Sequence, residues 1–143
     1  MNSRRDAGAQ RKSRTVTYKD LSGAIIGAAI EVHRELGPGL LESIYEHCLA
    51  KEFRALGLPF LQQHSVAVRY KGEQLDLGFR IDLWGDHRIV VEIKAVDEIH
   101  DVHLAQVLSY LKLTENKLGL LLNFNEPVLK NGIRRVVNGL DEP

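Results

Sequence analysis

The chain of 143 residues is poor in several things, and each shortage excludes something. There is one cysteine, Cys48, so no disulfide can form within the chain. That fits a reducing compartment, and the cytoplasm is the expectation. Net charge is zero, from 19 basic and 19 acidic residues. Bulk electrostatics therefore announce no polyanionic partner, and any basic surface must be local. Only 6% of residues are aromatic, with a single Trp. No apolar run is long enough to span a bilayer. The segment from Leu21 to Ile30 imitates a short signal-peptide core, but its helical period continues past Glu31. There is no glycine-rich phosphate loop, no dinucleotide fingerprint and no Gly-x-Ser-x-Gly elbow.

What is present is an ordinary globular composition, 44% hydrophobic and 27% charged. The length suits one domain, expected over residues 17–140. Residues 1–16 carry Arg4, Arg5, Arg11, Lys12 and Arg14 against Asp6 and read as a disordered basic arm.

A helix is predicted from Tyr18 to Leu36, capped by Thr17 with Asp20 and stopped by Gly37-Pro38-Gly39. Leu21, Ala24, Ile25, Ala28, Val32 and Leu36 form its inward face. Its small residues Gly23, Ala24, Gly27 and Ala28 leave room for close approach, and a homodimer is one expectation. A second helix, from about Leu40 to Leu56, should bury Leu41, Ile44, Cys48, Leu49, Phe53 and Leu56. Glu42 and Tyr45 border that stripe. A strand meander follows Pro59. Leu75, Leu77, Phe79, Ile81 and Leu83 alternate with Asp76, Gly78, Arg80 and Asp82.

The stretch from Arg88 to Val96 reads as the central strand. Ile89, Val91, Ile93 and Ala95 take one face, and Val90, Glu92 and Lys94 the other. Charges in so apolar a strand cost desolvation unless paired or bound to something. The hairpin before it can place Asp82 beside Glu92. With Gly85-Asp86-His87 as the loop and a left-handed Gly, Asp82 faces Val90 and lies diagonal to Glu92. A helix from Asp101 to Thr114 puts Val102, Ala105, Leu108, Leu111 and Lys112 broadly inward, and aligns His103, Gln106 and Tyr110. Leu118 to Phe124 is an interior strand, and Ile133 to Asn138 an edge strand.

The order of elements, with Asp82 followed ten residues later by Glu92-Ile93-Lys94, resembles the PD-(D/E)XK nuclease superfamily. Gly39-Leu40-Leu41-Glu42-Ser43-Ile44-Tyr45 looks like the motif that names its GxxExxY family. The blocks His103 to Leu113 and Leu118 to Asn125 are similar to later blocks of that family. The proline of the superfamily name is absent, and Ile81 precedes Asp82.

The resemblance implies an α/β, restriction-endonuclease-like fold: a mixed central sheet flanked by helices, with one additional N-terminal helix. It implies a Mg²⁺- or Mn²⁺-dependent nuclease acting on DNA, or in second place RNA. Asp82, Glu92, the Ile93 backbone carbonyl and Glu42 would hold the ion, and hard oxygen donors suit it. Lys94 would position the attacking water. Gln106, Tyr110, His103 and His33 would contact substrate. The alternative is a protein of the same fold that binds nucleic acid or another partner with little or no turnover. A third reading is hydrolysis of some other phosphate ester at the same metal site.

Overall fold

The computed structural model describes residues 16–141. The basic arm lies outside them except for Val16, which packs on the core and whose carbonyl accepts a hydrogen bond from Arg88 Nη1 at 2.8 Å. Two helices come first, α1 (Tyr18–Leu36) and α2 (Glu42–Leu56). Then come β1 (Phe60–Tyr70), β2 (Glu73–Gly85), β3 (Ile89–Lys94), α3 (Asp101–Thr114), β4 (Leu118–Asn123) and β5 (Ile133–Val137). The strands form one five-stranded sheet in sequential order. Strands β1, β2 and β3 are antiparallel neighbours; α3 carries the chain over so that β4 joins β3 in parallel, and β5 returns antiparallel at the edge. This is the mixed sheet flanked by helices that the sequence implied.

Each face of the sheet has its own core. Ile89, Val91 and Ile93 of β3, with Leu118, Leu120 and Leu122 of β4, meet α1 and α2. Val90 and Leu121 meet Val107, Tyr110 and Leu111 of α3. Both faces of β3 and β4 are thus covered, which is why these strands are apolar almost throughout. Full burial of each such aliphatic side chain contributes roughly 1.5–3 kcal/mol.

The helices run where their periodicity and caps place them, but their inward faces are rotated. Thr17 Oγ1 accepts the Asp20 amide proton at 3.0 Å and caps α1. Ala24 and Leu36 of the expected stripe are exposed, and Ser22, Ala29 and His33 are buried in their stead. Among the described residues, and apart from the adjoining backbone of α1 itself, nothing lies within 4 Å of a Cβ built on Gly23 or Gly27. In α2 the centre of the buried stripe is Tyr45, with Leu49, Ala50 and Phe53. Leu41 and Leu56 are exposed, and the helix begins only at Glu42.

Tyr45 accounts for that shift. Its ring stacks on Phe124 with centroids 4.6 Å apart. Its hydroxyl donates to the Gly37 carbonyl at 2.6 Å and accepts the Leu40 amide proton at 3.1 Å, so it ties down the loop that leads into α2. In α3 the buried residues are Val107, Tyr110 and Leu111, whereas Val102, Ala105 and Lys112 are exposed.

Two expectations for the β2–β3 hairpin are corrected. The turn is Asp86 to Arg88, closed by Arg88 N donating to Gly85 O at 2.9 Å. Asp86 and His87 take the left-handed conformation, with φ of 53° and 54°. Gly85 stays in the strand, paired with Phe60 and Ile89, where the lack of a side chain lets Ile25 approach: a Cβ would sit 3.1 Å from Ile25 Cδ1. The register moves with the turn: Trp84, not Asp82, pairs with Val90. Nor does the alternation of β2 survive in space. Leu83 lies in the core under α1 and α2, while Ile81 and Phe79 pack with α3. Leu77 is exposed. The strand turns over at Asp82.

Candidate active site

At Asp82 two strands part. The β2–β3 ladder ends at Leu83 opposite Val91, and continuing that register sets Asp82 level with Glu92. In place of a further ladder bond, Asp82 Oδ2 accepts the Ile93 amide proton at 2.9 Å. Its other oxygen accepts from Gln63 Nε2 at 3.1 Å. Burial holds the Asp82 carboxyl above its ordinary pKa. The Ile93 amide opposes that shift, the carboxylates of Glu46 and Glu42 add to it, and the Gln63 amide opposes it too.

Glu92 is the most perturbed acid. It comes from the middle of β3, between Leu121 on the parallel neighbour and Asp82 on the other side. Only 7% of it is exposed. Burial first, then repulsion from Asp82, pushes its carboxyl up to about 8, against the pull of Lys94 and the Asp82 amide. Glu92 Oε1 is buried with no hydrogen-bond partner among the described residues. A carboxylate oxygen in that state is costly unless a proton or a cation completes it.

Lys94, two residues on and on the same face, is half-buried and makes no ion pair within 4.0 Å among the described residues. The backbone beyond it is fixed by Asn123, which is fully buried. Asn123 Oδ1 accepts from Val96 N at 3.0 Å, and its Nδ2 donates to Val96 O at 2.9 Å.

Helix α2 brings Glu42 to the end of β3, where its Oε2 accepts the Ala95 amide proton at 3.3 Å. Its charge is felt at both Asp82 and Glu92. One turn later Glu46 reaches the Asp82 side of the site through Gln63. From the opposite face α3 supplies Tyr110, whose ring stacks on Phe79 with centroids 4.0 Å apart and planes 3° from parallel. Burial, then the charges of Glu92 and Asp82, raise the Tyr110 hydroxyl pKa. Gln106 is exposed one turn before Tyr110, in an open depression shared with His103.

The two histidines are otherwise engaged. His103 Nδ1 accepts the His100 amide proton at 3.0 Å, as part of a capping box that starts α3. His33 Nε2 lies 2.7 Å from the Glu126 carbonyl, and its ring sits 6.3 Å from that of Phe124. Trp84 packs with the α3 core and donates to Asn116 Oδ1.

So Asp82, Glu92, Lys94, Glu42 and Tyr110 gather around one end of β3, whereas Gln106 is exposed in a depression lined by α3 residues alone. Sequence reasoning passed over Glu46, Gln63 and the bracing role of Asn123. Glu46 had a signal, since it stands four residues after Glu42 on the same helical face. Gln63 had none, because its place depends on a backbone distortion within β1.

Among the described residues no three His, Cys, Asp or Glu side chains gather closely enough to form a metal cluster by themselves. The donors at hand are nonetheless those a hard divalent cation takes: two adjacent carboxylates, one with an unpartnered buried oxygen, beside the backbone of Ile93, whose amide meets Asp82. They fit such an ion, with water completing its shell.

A family model of the PD-(D/E)XK nuclease superfamily matches residues 19–136. The chain belongs to that superfamily. Neither the curated proteins nor the solved structures compared with it include a significant match. Among the described residues no helix is long and apolar enough to cross a membrane.

Proposed function

We propose that this protein is a nuclease that hydrolyses phosphodiester bonds in DNA, with Mg²⁺ or Mn²⁺ held at Asp82 and Glu92. RNA is the second candidate substrate. The observation that carries the reading is the buried, unpartnered Glu92 Oε1 beside Asp82, within a chain of the PD-(D/E)XK superfamily. Burying two like-charged carboxylates together opposes folding, and a bound cation offsets that cost. The Gly39 to Tyr45 segment supports a place in the GxxExxY family.

Asp82, Glu92 and the Ile93 carbonyl would hold the cation, with water completing its shell and Glu42 acting through that water from the end of β3. When bound, the cation supplies Lewis acidity and charge neutralisation at the scissile phosphate. Lys94 positions the attacking water and offsets charge that develops on the phosphate oxygens. Tyr110 and Gln106 line the approach from the α3 side and contact the strand. Stacking on Phe79 fixes the Tyr110 ring, so its hydroxyl is presented at little entropic cost.

A second reading, a binding protein without turnover, draws support from the same residue. A carboxyl that keeps its proton up to about pH 8 is a weak ligand at neutral pH. The two readings part in one assay. Single- and double-stranded DNA and RNA are incubated with Mg²⁺, Mn²⁺ or EDTA, with Asp82→Ala alongside. Metal-dependent cleavage that the variant lacks is expected. Binding of nucleic acid without cleavage in any metal would favour the second reading.

A further inference from the structure

Gln62 and Gln63 are consecutive residues of β1, and consecutive side chains of a regular strand point to opposite faces. Here both reach the same carboxylate. Gln62 Nε2 donates to Glu46 Oε2 at 2.8 Å, and Gln63 Nε2 donates to Glu46 Oε1 at 2.8 Å. The strand permits this only because Gln63 takes a left-handed conformation, with φ of 51°. Non-glycine residues rarely adopt it inside a strand, and such distortions persist where the surroundings enforce them.

The distortion lies across from Asp82. Gln62 pairs with Leu83 and His64 with Ile81, so Gln63 stands opposite Asp82 in the β1–β2 ladder. A primary amide nitrogen carries two hydrogens. In Gln63 one serves Glu46 and the other serves Asp82 Oδ1 at 3.1 Å. The amide therefore stands between two carboxylates that would otherwise repel. Together with the Ile93 amide on Oδ2, it pins both oxygens of Asp82 and so fixes its rotation.

We propose that Gln63 is a positioning residue for Asp82, anchored on Glu46 through the distorted segment of β1. This rests on the reading of Asp82 as a cation ligand. Its role is to hold the carboxylate plane in the orientation that presents its remaining lone pairs to the ion shared with Glu92. Outer partners of this kind typically change metal affinity by about 10–100-fold when lost.

The test uses the full chain and Mn²⁺ binding followed by calorimetry, with thermal melting in parallel. Gln63→Gly tolerates the left-handed backbone and deletes only the amide. Gln63→Asn, from a residue type that tolerates the same conformation, keeps an amide one methylene too short to span both carboxylates. Each variant is expected to stay folded in EDTA, melting somewhat below the wild type because Glu46 and Asp82 lose the amide between them, and to bind Mn²⁺ about tenfold or more weakly. The Mn²⁺ concentration for half-maximal cleavage should rise by the same factor, with much of the rate recovered at saturating metal.

A purely structural glutamine would lower the melting temperature and leave Mn²⁺ affinity alone. Unchanged Mn²⁺ affinity in either folded variant overturns the proposal. Unchanged affinity in those variants, while the wild type binds Mn²⁺ and Asp82→Ala does not, discards the role of Gln63 and keeps the cation site. A wild type that binds no Mn²⁺ discards both.

Discussion

Asp82 Oδ2 sits 2.9 Å from the backbone nitrogen of Ile93, so a side chain takes up the amide where the β2–β3 ladder stops. The bond locks the first acid to the strand that carries the second. It also leaves the Ile93 carbonyl and Glu92 on the neighbouring positions of β3.

Asp82→Ala should therefore remove the cation and, with it, cleavage. The loss in kcat is expected to be on the order of 10²–10³-fold or more, as for removal of a principal electrostatic stabiliser. Binding of Mn²⁺ should disappear with it. Cleavage by Asp82→Ala at the wild-type rate would remove Asp82 from the chemistry.

Glu92 sets a pH dependence of stability. Its carboxyl titrates near 8 in the folded protein against 4.5 for the ordinary group. Between those values the folded state holds a proton that the unfolded chain releases, so this residue's contribution to stability declines as pH rises through that window. Above it, metal-free protein carries the full penalty of a buried charge. Glu92→Gln abolishes the titration. In EDTA the variant should be more stable than the wild type by roughly 2–4 kcal/mol at pH 9, and by little at pH 4. Melting curves across that range decide it, and an equal difference at both ends would refute the assignment. Mn²⁺ should raise the wild-type melting temperature most at high pH, where it no longer competes with the proton.

Tyr45→Phe keeps the stack on Phe124 but removes the hydroxyl shared by Gly37 O and Leu40 N. A destabilisation of about 1–3 kcal/mol is expected, since two backbone groups lose a partner. Urea unfolding of the two proteins measures it. Equal midpoints would show that water replaces the hydroxyl without cost.

Gly119 lies beneath α3. A Cβ there would come within 2.6 Å of Val107 Cγ1 and 3.4 Å of Leu111 Cδ2. Gly119→Ala should push α3 outward at a cost of about 1–3 kcal/mol. Because α3 carries Tyr110 and Gln106, substrate KM should worsen more than Mn²⁺ affinity. Unaltered stability and KM together would show that α3 yields freely.

Much of this was legible in the sequence. The ends of α1 and α3 follow from Thr17 and Gly37 and from the helical period, and the interior place of β4 from its unbroken apolar run. The parity that puts Asp82 on the side of Glu92 was legible too. The pairing itself was not, because the glycine rule chose Gly85 as the left-handed residue, whereas Gly85 pairs on both sides within the sheet beneath Ile25 and leaves the left-handed positions to Asp86 and His87. The inward faces of α1, α2 and α3 also escaped. Tyr45 and Tyr110 are amphipathic, and only their ring partners, Phe124 and Phe79, decide that they are buried.

The sequence by itself determined the elements, their order and the chemistry-bearing strand Glu92-Ile93-Lys94, because local period, caps and residue type act over a few neighbours. Tertiary structure alone decided how the acids meet. The turnover of β2 at Asp82, the left-handed Gln63 opposite it and the arrival of Glu42 and Glu46 from α2 all depend on contacts between distant segments. The burial that raises Glu92 is likewise a property of covered sheet faces, which no single stretch of the chain contains.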